Sequence, residues 1–143
     1  MSLSMHAMTV GQFVPMLKNL GKILEKAEAY AAAKKIEGGV IEGLRLAPDM
    51  LSFARQIQLA SDFAKNSVAR LAGIEAPKYE DNEKTLEELK ARVAKTIDWL
   101  QGIQAAQLEG AENRHIVIPL RTRTLEMDGL PFLQKWALPN FYF

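Results

Sequence analysis

The sequence predicts a mainly all-α fold: a bundle of four helices with a small β-hairpin ahead of the fourth. Apolar residues recur at helical spacing through three long segments, the period shortens to two after Gly110, and a last helical pattern opens near Pro131. The chain has 143 residues, the usual size of one domain, and 48% of them are apolar, enough to fill one core.

The first helix is expected from Val10 to Ala33, with Phe13, Leu17, Leu20, Leu24, Ala27 and Ala31 on one face. Thr9 and Gln12 have capping-box spacing. Pro15 removes a donor near the start, so the helix begins close to it or bends there. Gly38-Gly39 marks the end of the segment. A second helix is expected from Pro48 to Leu71, with Pro48 at the first helical position and Gly73 as C-cap. Its apolar face is Met50, Phe53, Ile57, Ala60, Ala64 and Leu71. Gly73 to Glu83, which includes Pro77, reads as a loop.

Thr85 and Glu88 form a capping box before Leu86, Leu89, Val93, Ile97 and Leu100 of the third helix. Glu80, Asp81, Glu83, Glu87 and Glu88 precede Lys90, Arg92 and Lys95. That order suits the helix dipole, allows a Glu88–Arg92 pair, and reads as a solvated face. Ile116, Ile118 and Leu120, then Leu125 and Met127, alternate with other residues around a turn at Arg121-Thr122-Arg123. Pro119 marks an edge position. The fourth helix opens near Pro131 with Phe132, Leu133, Trp136 and Ala137, and the chain stops at Phe141-Tyr142-Phe143. Three aromatics in mid-pattern lead us to expect that the C-terminus is incomplete.

Composition narrows the function. Eighteen Lys and Arg face seventeen Asp and Glu, without a basic stripe interleaved with aromatics, so no nucleic-acid partner is expected. No apolar run approaches the roughly 20 residues that span a bilayer, so no membrane partner is expected either. Met1 to His6 does not resemble a signal peptide, and the cytoplasm is the default compartment. The absence of cysteine excludes disulfides, thiolate nucleophiles and Cys-ligated zinc. No Ser–His–Asp set, phosphate loop or nucleophile elbow is present.

Several stretches together resemble one family. They are Ser2-Leu3-Ser4-Met5, Arg45-Leu46-Ala47-Pro48-Asp49-Met50, Gln56-Ile57-Gln58 with Asp62-Phe63-Ala64-Lys65, and Ala69-Arg70-Leu71-Ala72-Gly73. Lys95-Thr96-Ile97, Gln107-Leu108-Glu109-Gly110-Ala111-Glu112 and Ala137-Leu138-Pro139-Asn140-Phe141-Tyr142-Phe143 follow. In order and spacing these resemble domain-of-unknown-function family nineteen ninety-three, a branch of the DinB and YfiT-like superfamily. The resemblance covers essentially the whole chain. It implies an up-down four-helix bundle with a long crossover between the second and third helices, and a fourth helix continuing past Phe143. Better known relatives include metal-dependent thiol transferases and isomerases that hold their metal with three histidines. This chain has only His6 and His115, and Lys135-Trp136 stands where a histidine is expected. A three-histidine site cannot be assembled from it, so no metal and no cofactor are expected.

The second helix is polar for a bundle element. Arg45 and Asp49 have the spacing of a local ion pair, Asp62 and Lys65 that of a surface pair, and Asp49 and Gln56 fall close to the apolar face. Pro139 frees the carbonyl of residue 135 beside Trp136, Asn140 and Tyr142. These features converge on Asp49, Gln56, Trp136 and Asn140 as candidate ligand contacts. The catalytic residues stay unknown. Carboxylate neighbours such as Glu25 and Glu28, or Glu87 and Glu88, sit on charged faces unsuited to acid–base work. The leading functional expectation is a bundle that binds a small, partly apolar molecule between its helices without a metal. The alternatives are a divergent metal-dependent enzyme with ligands beyond residue 143, and a homodimeric interaction module.

Overall fold

A computed structural model describes residues 2–143. α1 (Met5–Met8) is capped by Ser4, whose hydroxyl oxygen accepts from the Ala7 N–H. α2 (Val10–Lys34) follows after a break at Thr9. Thr9 does not cap α2: its hydroxyl donates back to the Met5 carbonyl at 2.7 Å, so the expected Thr9–Gln12 box does not form. Pro15 falls inside α2 near its start, and the helix continues through it. The end comes before Gly38-Gly39. Lys35 adopts a left-handed conformation, and the Ile36 N–H bonds the Ala31 carbonyl.

α3 (Val40–Gly43) is a single turn. Its buried Glu42 accepts the Leu86 N–H at 3.0 Å, which ties α3 to the start of the third bundle helix. α4 (Phe53–Ala72) begins well after the expected Pro48. Arg45 Nη1 donates to the Met50 carbonyl and the Phe53 N–H bonds the Leu44 carbonyl. These bonds close residues 44–53 into a loop, and Ser52, not Pro48, opens the helix by accepting the Arg55 N–H. Gly73 ends it in a left-handed conformation (φ 69°). α5 (Leu86–Gln101) starts at the expected capping box, with both reciprocal bonds present.

Two short 3₁₀ turns, 105–108 and 111–113, lead into β1 (His115–Pro119) and β2 (Thr124–Asp128). The pair is antiparallel, with Ile116 opposite Met127 and Ile118 opposite Leu125. Ile116 and Ile118 are buried against the bundle. The fourth bundle helix is composite: α6 (Gly129–Phe132), a π-helical turn (Leu133–Ala137) and α7 (Leu138–Tyr142). The Leu138 N–H reaches back to the Leu133 carbonyl, so the wider turn sits just ahead of Pro139, which has no N–H to give.

α2, α4, α5 and the composite helix form the bundle. Its core includes Phe13, Leu17, Leu24, Val68, Leu71, Leu89, Leu100 and Phe132, all essentially without solvent contact. Each such side chain contributes roughly 1.5–3 kcal/mol by leaving water. Among the described residues, no helix is long and apolar enough to cross a membrane.

At Gly129 one backbone segment lies hard against another. A Cβ there would lie 1.8 Å from the Ala111 carbonyl oxygen, a backbone atom that cannot swing away. Gly129→Ala is expected to cost about 3 kcal/mol or more, the upper range for overpacking. Urea unfolding against wild type measures this.

Candidate functional site

The loop that delays α4 also places the first candidate residues. Asp49 is exposed on that loop, and Gln56 lies in the first turn of α4, half-buried, with its Nε2 donating to the Leu51 carbonyl at 3.5 Å. Arg45 spends its guanidinium on the Met50 carbonyl and makes no ion pair with Asp49. Asn140 Nδ2 donates to the Trp136 carbonyl at 2.7 Å. Its other amide atom is left as an acceptor. Asp49, Gln56 and Asn140 line one cavity of about 430 Å³, walled by Leu51, Leu59, Phe63 and Phe143 among others. Trp136 is not part of that wall. It packs, half-buried, against the core. Of Trp136 and Asn140, only Asn140 reaches the cavity.

The cavity opens among others. A neighbouring space of about 540 Å³ shares Met50, Leu51, Gln56 and Phe143 with it, and is otherwise lined by Ile41, Leu44, Arg45, Leu46 and Phe53. Phe141 packs edge-on against Phe13, with ring centres 4.8 Å apart, and against Tyr142 at 5.3 Å. Of the terminal aromatics, Phe141 therefore belongs to the core, whereas Phe143 is 93% exposed.

A second polar assembly lies between α4 and α5. Arg92 is not on a solvated face and does not pair with Glu88. Its side chain has no solvent contact. Nη2 meets Asp62 at 2.8 Å, and Nη1 meets Glu83 and Asp81, each at 3.0 Å. Gln58 bridges to Glu83, and Arg55 also holds Asp81. Asp62 and Lys65 do pair, at 3.3 Å, but Lys65 is buried and Asp62 is shared with Arg92, so this is not the expected surface pair. The Tyr79 ring lies among Lys65, Arg92 and Lys95. Burial pushes the Tyr79 phenol above its ordinary pKa, with the Thr96 hydrogen bond and the Arg92 charge pulling the other way. Burial also opposes the Asp81 charge, but the hydrogen bonds and charges of Arg55 and Arg92 outweigh it and hold the carboxyl below its usual range. The readable signal was spacing. Leu89, Arg92, Val93 and Thr96 follow the buried stripe of α5, so Arg92 and Thr96 occupy core positions.

The histidines are apart. His6 Nε2 donates to the Ile103 carbonyl at 3.0 Å. His115 lies on the exposed side of the hairpin, 4.0 Å from Glu126. Among the described residues, no three His, Cys, Asp or Glu side chains are grouped to hold a metal. The donor set therefore does not fit the three-histidine centre of the better known relatives.

The architecture defines the class: a DinB-like helical bundle. The chain belongs to the family described as Domain of unknown function (DUF1993), which it matches over residues 5–143. It is also similar to a DinB family member protein from Shewanella denitrificans, whose crystal structure was solved at 1.83 Å resolution. The TM-score is 0.89 at 41% identity, covering 96% of this chain and 78% of that one. No curated protein matches the sequence.

Removing the Arg92 guanidinium leaves its carboxylates facing one another. Arg92→Met is expected to cost about 3 kcal/mol, the low end for a broken buried pair because Asp62 and Asp81 keep some water. Asp81 adds a pH dependence. A carboxyl depressed in the folded state stabilises above its unfolded pKa of about 3.9, and that stabilisation is lost as pH falls through the folded value. Wild type should therefore lose more stability than Arg92→Met below about pH 4, as read by urea midpoints across a pH series.

Proposed function

We propose that the protein binds a small, partly apolar molecule between its helices, in the cavity lined by Asp49, Gln56 and Asn140. The observation that carries this is convergence. Three polar side chains, from the 44–53 loop, α4 and α7, meet in a space whose remaining walls are largely apolar. Ligand cavities of this kind combine apolar contact with a few orienting groups, and about 430 Å³ lies within their usual range. Gln56 and Asn140 each offer an amide group, and Asp49 adds a negative charge at the mouth. Such a set orients an uncharged alcohol or amide without any metal. The reading places the protein in the cytoplasm, in keeping with its cysteine-free sequence.

Filling the cavity tests the reading. Ala60 lines it and is half-buried. The chain is expected to bind the uncharged dye N-phenyl-1-naphthylamine saturably, and Ala60→Trp to weaken that binding at least about tenfold, which corresponds to 1.4 kcal/mol. The melting temperature should stay within about 2 °C. Undiminished dye binding by the filled variant would overturn the assignment.

A second reading is favoured by the exposed apolar residues beside this cavity. Leu44 and Leu46 are 57% and 93% exposed. A patch of this kind commonly pairs with another surface, here that of a second copy. A dimeric mass by light scattering, converted to a monomer by Leu46→Glu, is the expected result. A monomeric wild type at high concentration removes this reading.

A further inference from the structure

We propose a second binding site, separate from the cavity described above, that takes a small organic cation: an ammonium group carried on an apolar stem. The site is a cavity of about 610 Å³ between the N-terminal segment 2–8 and the turns at 105–108 and 111–113. It shares no lining residue with the Asp49 cavity. Its apolar wall includes buried Met5 and Leu108 together with Met8 and Leu130. Two of the stretches on which the family resemblance rests, 2–5 and 107–112, meet there.

Charge complementarity selects the occupant. The ionisable side chains lining the cavity are His6, Glu109 and Glu112, with no Lys or Arg among them. Among the described residues, neither Glu109 nor Glu112 has a side-chain hydrogen bond or an ion pair, so no protein cation offsets either charge. His6 Nε2 donates to the Ile103 carbonyl, which holds the ring in the cavity wall. An alkylammonium ion brings a positive charge to the acidic side of the cavity and a stem to its apolar wall. Anions are repelled. His6, Glu109 and Glu112 are not grouped as a metal-ligand set, which favours an extended organic cation over a bare divalent ion.

Titration calorimetry on the full chain at neutral pH, with octylamine, octanol and octanoate as probes, tests this. One octylamine site is expected, at least about tenfold tighter than octanol and weakened by salt, with no detectable octanoate binding. The double variant Glu109→Gln/Glu112→Gln should lose at least about tenfold in octylamine affinity while melting like wild type. Gln56→Ala should leave that affinity unchanged. Equal binding of octanol and octylamine, an unaffected double variant, or loss of binding in Gln56→Ala would overturn the proposal. So would one-to-one displacement of octylamine by calcium or zinc. Tighter binding of N-acetyl-lysine amide than of octylamine would make a partner's lysine the occupant and refute a small amine.

Discussion

One guanidinium does most to tie the crossover to the bundle. Gly73 to Thr85 runs between α4 and α5 without regular structure, and a connection of that length carries few contacts of its own. Arg92 supplies them. It projects from α5 into the interface with α4 and collects Asp62 from α4 and Asp81 and Glu83 from the crossover. Two helices and the strand of chain joining them are thereby fixed at a single point. Burying the charge is costly, and carboxylates on more than one side are what make it tolerable. Among the described residues Arg92 Nε has no hydrogen-bond partner, so the compensation is incomplete even here.

Local signals carried most of the architecture. The Thr85–Glu88 box, the left-handed Gly73 and the alternation from Ile116 to Met127 each depend on residues close in sequence, and each matches the structure. The delayed start of α4 depends on Leu44 meeting Phe53, which no propensity encodes. Arg92 shows the same limit more sharply. Its spacing placed it on the buried stripe, but a charged residue there reads as an error in the pattern until its three acidic partners are seen. Those partners are 9 to 30 positions away in sequence.

The candidate site was partly legible for a related reason. Gln56 and Asp49 showed as polar residues near an apolar face, and Asn140 as the neighbour of a helical proline. Trp136 was grouped with them by proximity in sequence, and the structure turns it into the packed interior instead. The amine cavity was not legible at all. Its walls come from the N-terminus and from two 3₁₀ turns about a hundred residues later, and neither segment has a periodicity that would have announced it.

The π-helical turn at Leu133–Ala137 has an evolutionary reading. A π turn holds one residue more than the α-helical turn it replaces, so it behaves as a single-residue insertion absorbed without breaking the helix. Each residue of an α-helix advances about 100° around the axis. Deleting one residue between 133 and 137 would therefore rotate all that follows by that angle, carrying Asn140 away from the Asp49 cavity and Phe141 away from Phe13. In this bundle a change of one codon in length would redraw the cavity more thoroughly than a point substitution, and related chains that differ by one residue here should present a different set of side chains to whatever they hold.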